Sequence, residues 1–92
     1  MPLELKHQSK VQFLVRLRRR YREARGLDAC RLAARMLALL DSGDVTQAQM
    51  LNAWNMTAQG WSNRRVAKLQ PRADKWAAHK AATDAAEAEE QD

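Results

Sequence analysis

Apolar side chains in the first third of the chain recur at helical spacing. Phe13, Leu14, Leu17, Tyr21 and Ala24 fall on one side of a helix, and the residues between them are mostly Arg or other polar types. The pattern predicts a first helix from Leu5 to Ala24. Gly26 is its stop, because a left-handed residue after a helix is cheapest as Gly. A second apolar face, Leu32, Ala33, Met36, Leu39 and Leu40, predicts a helix from Ala29 to Leu40. Asp28 is placed to cap it, and Leu27 and Leu32 have the spacing of a hydrophobic staple across its start. Asp41, Ser42 and Gly43 end it.

The next two helix starts carry the same device. Thr46 caps a third helix from Gln47 to Asn55, with Gln49 at the capping-box position and Val45 stapled to Met50. Thr57 caps a fourth helix from Ala58 to Leu69, with Met56 stapled to Trp61. Pro71 suits the first position of a fifth helix, where its missing N–H would be unpaired anyway. Trp76, Ala77 and Ala81 can pack, but past Ala82 nothing large remains to bury. No stretch alternates like a strand. The expected architecture is therefore all-α: a compact bundle of four to five helices over residues 1–82, with an acidic, frayed and flexible tail over 83–92.

Length and composition narrow this further. Ninety-two residues make one domain, and a chain of this size buries roughly 60–65% of its unfolded surface. Seventeen residues are Ala, so the core must rely on helices closing on small side chains. No apolar run approaches the ~20 residues of a membrane span. The charged first ten residues do not read as a secretory signal. A single cysteine, Cys30, excludes an internal disulfide framework and fits a reducing compartment, so a cytoplasmic location is expected. As a small residue near a helix start, Cys30 suits the core, although a helix N-terminus can also lower a thiol pKa.

Charge is segregated. Residues 1–35 carry ten Lys and Arg against three acids, residues 64–80 carry six against Asp74, and residues 81–92 carry five acids with no Lys or Arg. The densest basic run is Arg16, Arg18, Arg19, Arg20, Arg22 and Arg25. On a helix, Arg16, Arg19 and Arg20 share the face opposite Leu14 and Tyr21, while Arg18 and Arg25 flank the apolar stripe. Arg is used rather than Lys, and its planar fork matches phosphate. This face reads either as a polyanion-binding surface, with nucleic acid the commonest polyanion, or as a solvated face whose Arg stems cover a thin core. The acidic tail reads as a solubilising end, as a segment that folds back on the basic face, or as a partner contact.

Between Asn55 and Ala58 lie only Met56 and Thr57, and two short helices joined so tightly must cross steeply. The segment from Gln47 to Val66 resembles the helix-turn-helix of phage repressors of the Cro and CI type. Met50, Trp54 and Met56 can fill the inside of the corner. Asn55 stands where the family usually has Gly, and Asn tolerates the left-handed conformation. Thr57-Ala58-Gln59 opens the second helix in the family's manner, and Trp61 takes the buried position. The resemblance implies that the fourth helix is a recognition helix. Gln59, Ser62 and Asn63 would then face base edges, while Arg64, Arg65 and Lys68 meet phosphates and fix register. Arg16, Arg19 and Arg20 of the first helix would add phosphate contacts. The whole chain, small and rich in Ala and Arg, also resembles small proteins of bacteriophages and prophages, which implies the cytoplasm of a bacterial host cell as its location.

The pattern departs from the family at Leu51, where a small residue is usual, and at Arg64, where a second buried aliphatic is usual. Gly60 weakens the recognition helix by up to ~1 kcal/mol relative to Ala. These departures and the three Trp residues leave a second function open, a protein–protein module such as a phage assembly factor or an inhibitor of a host protein. Duplex DNA and a host or phage protein are thus the two candidate partners, and self-association as a homodimer through the first or fifth helix fits the composition. Catalysis is not expected. His7 and His79 lie in opposite terminal regions, no residues have zinc-site spacing, and there is no Gly-rich phosphate loop, so neither cofactor nor metal is expected.

Overall fold

The computed structural model describes the backbone of residues 2–90 and the side chains of residues 8–88. His7 and the acidic side chains beyond Ala88 lie outside the described side chains. The chain forms α1 (Pro2–Glu23), α2 (Leu27–Asp41), α3 (Gln47–Trp54) and α4 (Ala58–Arg64), then a π-helical turn (Arg65–Leu69) and α5 (Gln70–Glu90). It is all-α among the described residues. Because α4, the π turn and α5 run on without a break, the bundle consists of four rods.

Each rod contributes to one core. Leu14, Leu17 and Tyr21 come from α1, and Leu32, Ala33, Met36 and Leu37 from α2. Val45, Met50, Ala53, Trp54, Trp61, Leu69 and Ala73 complete the cluster. α2 packs along α5, and α1 lies across α3 and α2. Within α2, Leu37 is buried, whereas the expected core residues Leu39 and Leu40 are only half-buried. Both lie in the last turn of α2, which ends at Asp41. Cys30 is buried, as its small size suggests.

The caps explain the boundaries. At Thr46 both halves of the capping box form: Gln49 N–H donates to Thr46 Oγ1 at 3.2 Å, and Thr46 N–H donates to Gln49 Oε1 at 2.8 Å. Thr57 Oγ1 accepts from the Gly60 N–H at 3.1 Å. The expected cap at Asp28 is not used. α2 begins two residues earlier, with Gly26 at φ 60° as its N-cap and no side-chain cap, while Asp28 in the first turn pairs with Arg31 at 2.6 Å. A glycine accepts that positive φ without steric cost, so the chain can turn directly from α1 into α2.

Pro71 does not open a separate helix. The Gln70 N–H reaches back to the Arg65 carbonyl, five residues away, so the turn before Pro71 is widened. In an ordinary α-helix the proline ring would press on the carbonyl four residues earlier. A one-turn π widening relieves such a clash and lets the rod continue. Beyond Trp76, which is half-buried, every described side chain to Ala88 is exposed. Residues 83–88 add nothing to the core, and the backbone stays helical as far as Glu90.

The left-handed residue in the α3–α4 turn gives a direct test. Asn55 sits at φ 53°, ψ 52°. Asn55→Ala should destabilise the domain by about 1 kcal/mol, because Ala lacks the polar side chain that eases this conformation. For a domain of this size that lowers the melting temperature by roughly 4–8 °C. Asn55→Gly should match or exceed wild type in the same thermal melt. Equal melting of the Ala and Gly variants would contradict the left-handed geometry.

Candidate nucleic-acid interface

The α3–α4 corner is built around aromatic packing. Met50 is fully covered, and Trp54 and Trp61 are 2% and 3% exposed. Tyr21, Trp54 and Trp61 form a chain of tilted rings, with centroids 6.0 and 5.6 Å apart. Leu51 is half-buried, and its carbonyl accepts from the Met56 N–H at 3.1 Å, so it belongs to the turn itself. Gly60 has a local reason in addition to its cost: a Cβ there would sit 3.3 Å from the Thr57 hydroxyl that caps α4.

With Trp61 directed inward, the opposite face of α4 is left to solvent. Gln59, Ser62 and Asn63, at i, i+3 and i+4, are all exposed. Gln59 Nε2 donates to Asn63 Oδ1 at 2.9 Å, which holds the two amides side by side. Their other polar atoms, Gln59 Oε1 and Asn63 Nδ2, supply one acceptor and one donor at the ridge. Arg64 is exposed, with its guanidinium 5.7 Å from the centre of the Trp54 ring. It therefore replaces the buried aliphatic of the repressor pattern by lying over the core's aromatic rather than entering it. Lys68 is exposed on the π turn. Met56, Thr57, Gly60, Asn63, Arg64, Ala67 and Lys68 line an open groove of about 460 Å³, and none of them is acidic.

The other expected phosphate residues separate. Arg65 points to α2, where its Nη2 bonds both carboxylate oxygens of Asp41 at 2.9 and 3.2 Å. Of the first-helix set, Arg16, Arg19 and Arg20 are all exposed on α1, at i, i+3 and i+4. Arg19 lines a hollow of about 200 Å³ with Val15, Arg18 and Arg22. Arg20 lies instead beside Glu23 and Asp28, facing the start of α2.

Arg18 and Arg22 lie outside the set of residues to which the repressor resemblance points. Arg18 reaches over α3: its guanidinium is 5.2 Å from the Trp54 ring centre, and Nη1 donates to the Ala53 carbonyl at 3.4 Å. Burial, together with the charges of Arg22 and Arg64, lowers its pKa below the ordinary arginine value. One sequence signal could have flagged it, since position 18 continues the Leu14–Leu17–Tyr21 stripe and a charged side chain there must find a partner.

Trp54 and Trp61 are core side chains, so the aromatic content that favours a protein-docking module reduces to Trp76, which stacks on His79 at 5.7 Å. Among the described residues, no three or more His, Cys, Asp or Glu are grouped to hold a metal ion, and no helix is long and apolar enough to cross a membrane. No protein-family model, curated protein or solved structure matches this chain.

Proposed function

We propose that this protein binds duplex DNA through the α3–α4 corner, as a small phage-type regulator, with α4 entering the major groove. The observation that carries the reading is the exposed Gln59–Ser62–Asn63 ridge, flanked by Arg64 and Lys68 in a groove free of carboxylates. An acceptor and a donor presented together by Gln59 and Asn63 match the edge of adenine, which offers an N6 amine and an N7 acceptor in the major groove. Arg64, Lys68 and Arg19 supply charge for the phosphates on either side of that contact.

The test is affinity for duplex DNA as salt rises. Three phosphates neutralised by Arg19, Arg64 and Lys68 give a log–log slope of roughly −2.7 or steeper, at ~0.9 per phosphate. Replacing Arg64 and Lys68 together by Gln should flatten the slope by about 1.8 and weaken binding on every sequence alike. Arg65→Gln should leave the slope nearly unchanged, because that guanidinium is already engaged by Asp41. A salt-independent affinity would overturn the reading. Retention of a protein partner after nuclease treatment, with no duplex binding, would favour a protein-docking module instead.

A further inference from the structure

Three arginines gather where α1 passes the end of α3. Arg18 and Arg64 both lie over Trp54, at 5.2 and 5.7 Å from its ring centre. Arg22 follows Arg18 by one helical turn, and these two line a hollow with Val15 and Arg19 on the α1 side of Arg18. No carboxylate balances them. The ion pairs among the described residues are made elsewhere, Asp28 with Arg31 and Asp41 with Arg65.

Two donors at this junction also lack acceptors. Arg18 Nε is buried without a hydrogen-bond partner, and so is Nε1 of Trp54, a side chain only 2% exposed. Both groups are enclosed by the protein, which shows how closely Arg18 packs on Trp54. The crowding of like charges at the outer guanidinium nitrogens is left unanswered. An oxyanion there answers it, and a tetrahedral phosphate can accept from several guanidinium forks.

We propose that Arg18, Arg22 and Arg64 form a clamp for one backbone phosphate of duplex DNA, seated beside Trp54. The proposal rests on the DNA-binding reading and locates one phosphate contact within it. Arg64 is the link. It belongs both to the clamp and to the groove that holds Asn63 and Lys68, so a phosphate held here lies next to the ridge facing the bases. Arg18 is fixed from below by the Ala53 carbonyl and the Trp54 face, whereas Arg22 is exposed and adjustable. A preset guanidinium loses less entropy on binding than a free one.

The experiment uses the full chain, labelled with nitrogen-15, and follows the indole N–H of Trp54 and the Nε–H of Arg18. Inorganic phosphate is titrated against sodium chloride at matched ionic strength, in wild type and in Arg22→Gln. Arg22 is exposed, so its replacement leaves the core intact. Wild type should show saturable shifts of both signals with phosphate and not with chloride. Arg22→Gln should bind phosphate roughly tenfold more weakly, the loss of one charge-assisted contact. The same variant should weaken duplex binding by a similar factor, with a change of salt slope smaller than the ~0.9 of a whole phosphate contact, because Arg18 and Arg64 still hold that phosphate. Shifts no larger than chloride produces would overturn the clamp, even if the duplex still binds through α4. Phosphate shifts with an unchanged duplex affinity in Arg22→Gln would also overturn it, by assigning the site to free phosphate. If wild type binds no duplex at all, the DNA reading fails with the proposed source of the phosphate, and the phosphate titration still shows whether the three arginines hold an oxyanion.

Discussion

Trp61→Ala should destabilise the domain by roughly 3–5 kcal/mol, the usual range for removing a large aromatic from a core. Trp61 is 3% exposed and stacks on Trp54 at 5.6 Å, so the cavity opens at the centre of the α3–α4 corner. A chain of this length has about 5–14 kcal/mol of total stability, and the loss consumes much of it. In urea, with a slope of about 1–2 kcal/mol per molar, the midpoint should fall by roughly 2–4 M. Trp61→Phe keeps most of the packing and should lose far less. The size of the effect follows from composition. With seventeen Ala in the chain, few neighbours are large enough to relax into the space. An alanine variant within about 1 kcal/mol of wild type would show that α4 is not anchored through this ring.

The second large effect concerns sequence preference rather than stability. Gln59→Ala combined with Asn63→Ala should leave the salt slope of duplex binding unchanged, because neither side chain carries charge. It should erase discrimination between a preferred and a scrambled duplex, by about 1–3 kcal/mol for the adenine pair the two amides make together. Competition binding with the two duplexes reads this directly. The two residues are joined by the Gln59–Asn63 hydrogen bond at 2.9 Å, so their single-variant losses should not add. A double variant with undiminished preference would remove α4 as the reading element. Both side chains are exposed, and the substitutions put Ala, the best helix former, at helical positions, so any effect belongs to recognition rather than to folding.

Local chemistry made much of the corner legible. Thr46 and Gln49 form the expected capping box, Thr57 caps α4, and Asn55 takes the left-handed turn. These are contacts within a few residues, and the side chains that make them are adjacent in sequence whatever the rest of the chain does. The outward direction of Gln59, Ser62 and Asn63 was legible for the same reason, since helical period places them opposite Trp61. At Asp28 the local rule failed. Gly26 could take a positive φ and start α2 earlier, which left the carboxylate to Arg31.

Sequence by itself therefore determined the all-helical class, two of the three capped starts and the polar ridge of α4, because these depend on backbone geometry and neighbours three or four residues apart. Tertiary structure alone decided what the arginines do. Arg65 was drawn to Asp41, twenty-four positions back, while Arg18 and Arg64, far apart in the chain, came to lie over the same Trp54. It also decided that α4 and α5 are one rod, since the widening ahead of Pro71 goes with the packing of Leu69 in a core shared with α2. A long, flexible cation has no periodicity that reveals its partner, and which opposing charge or ring it meets depends on how distant helices pack.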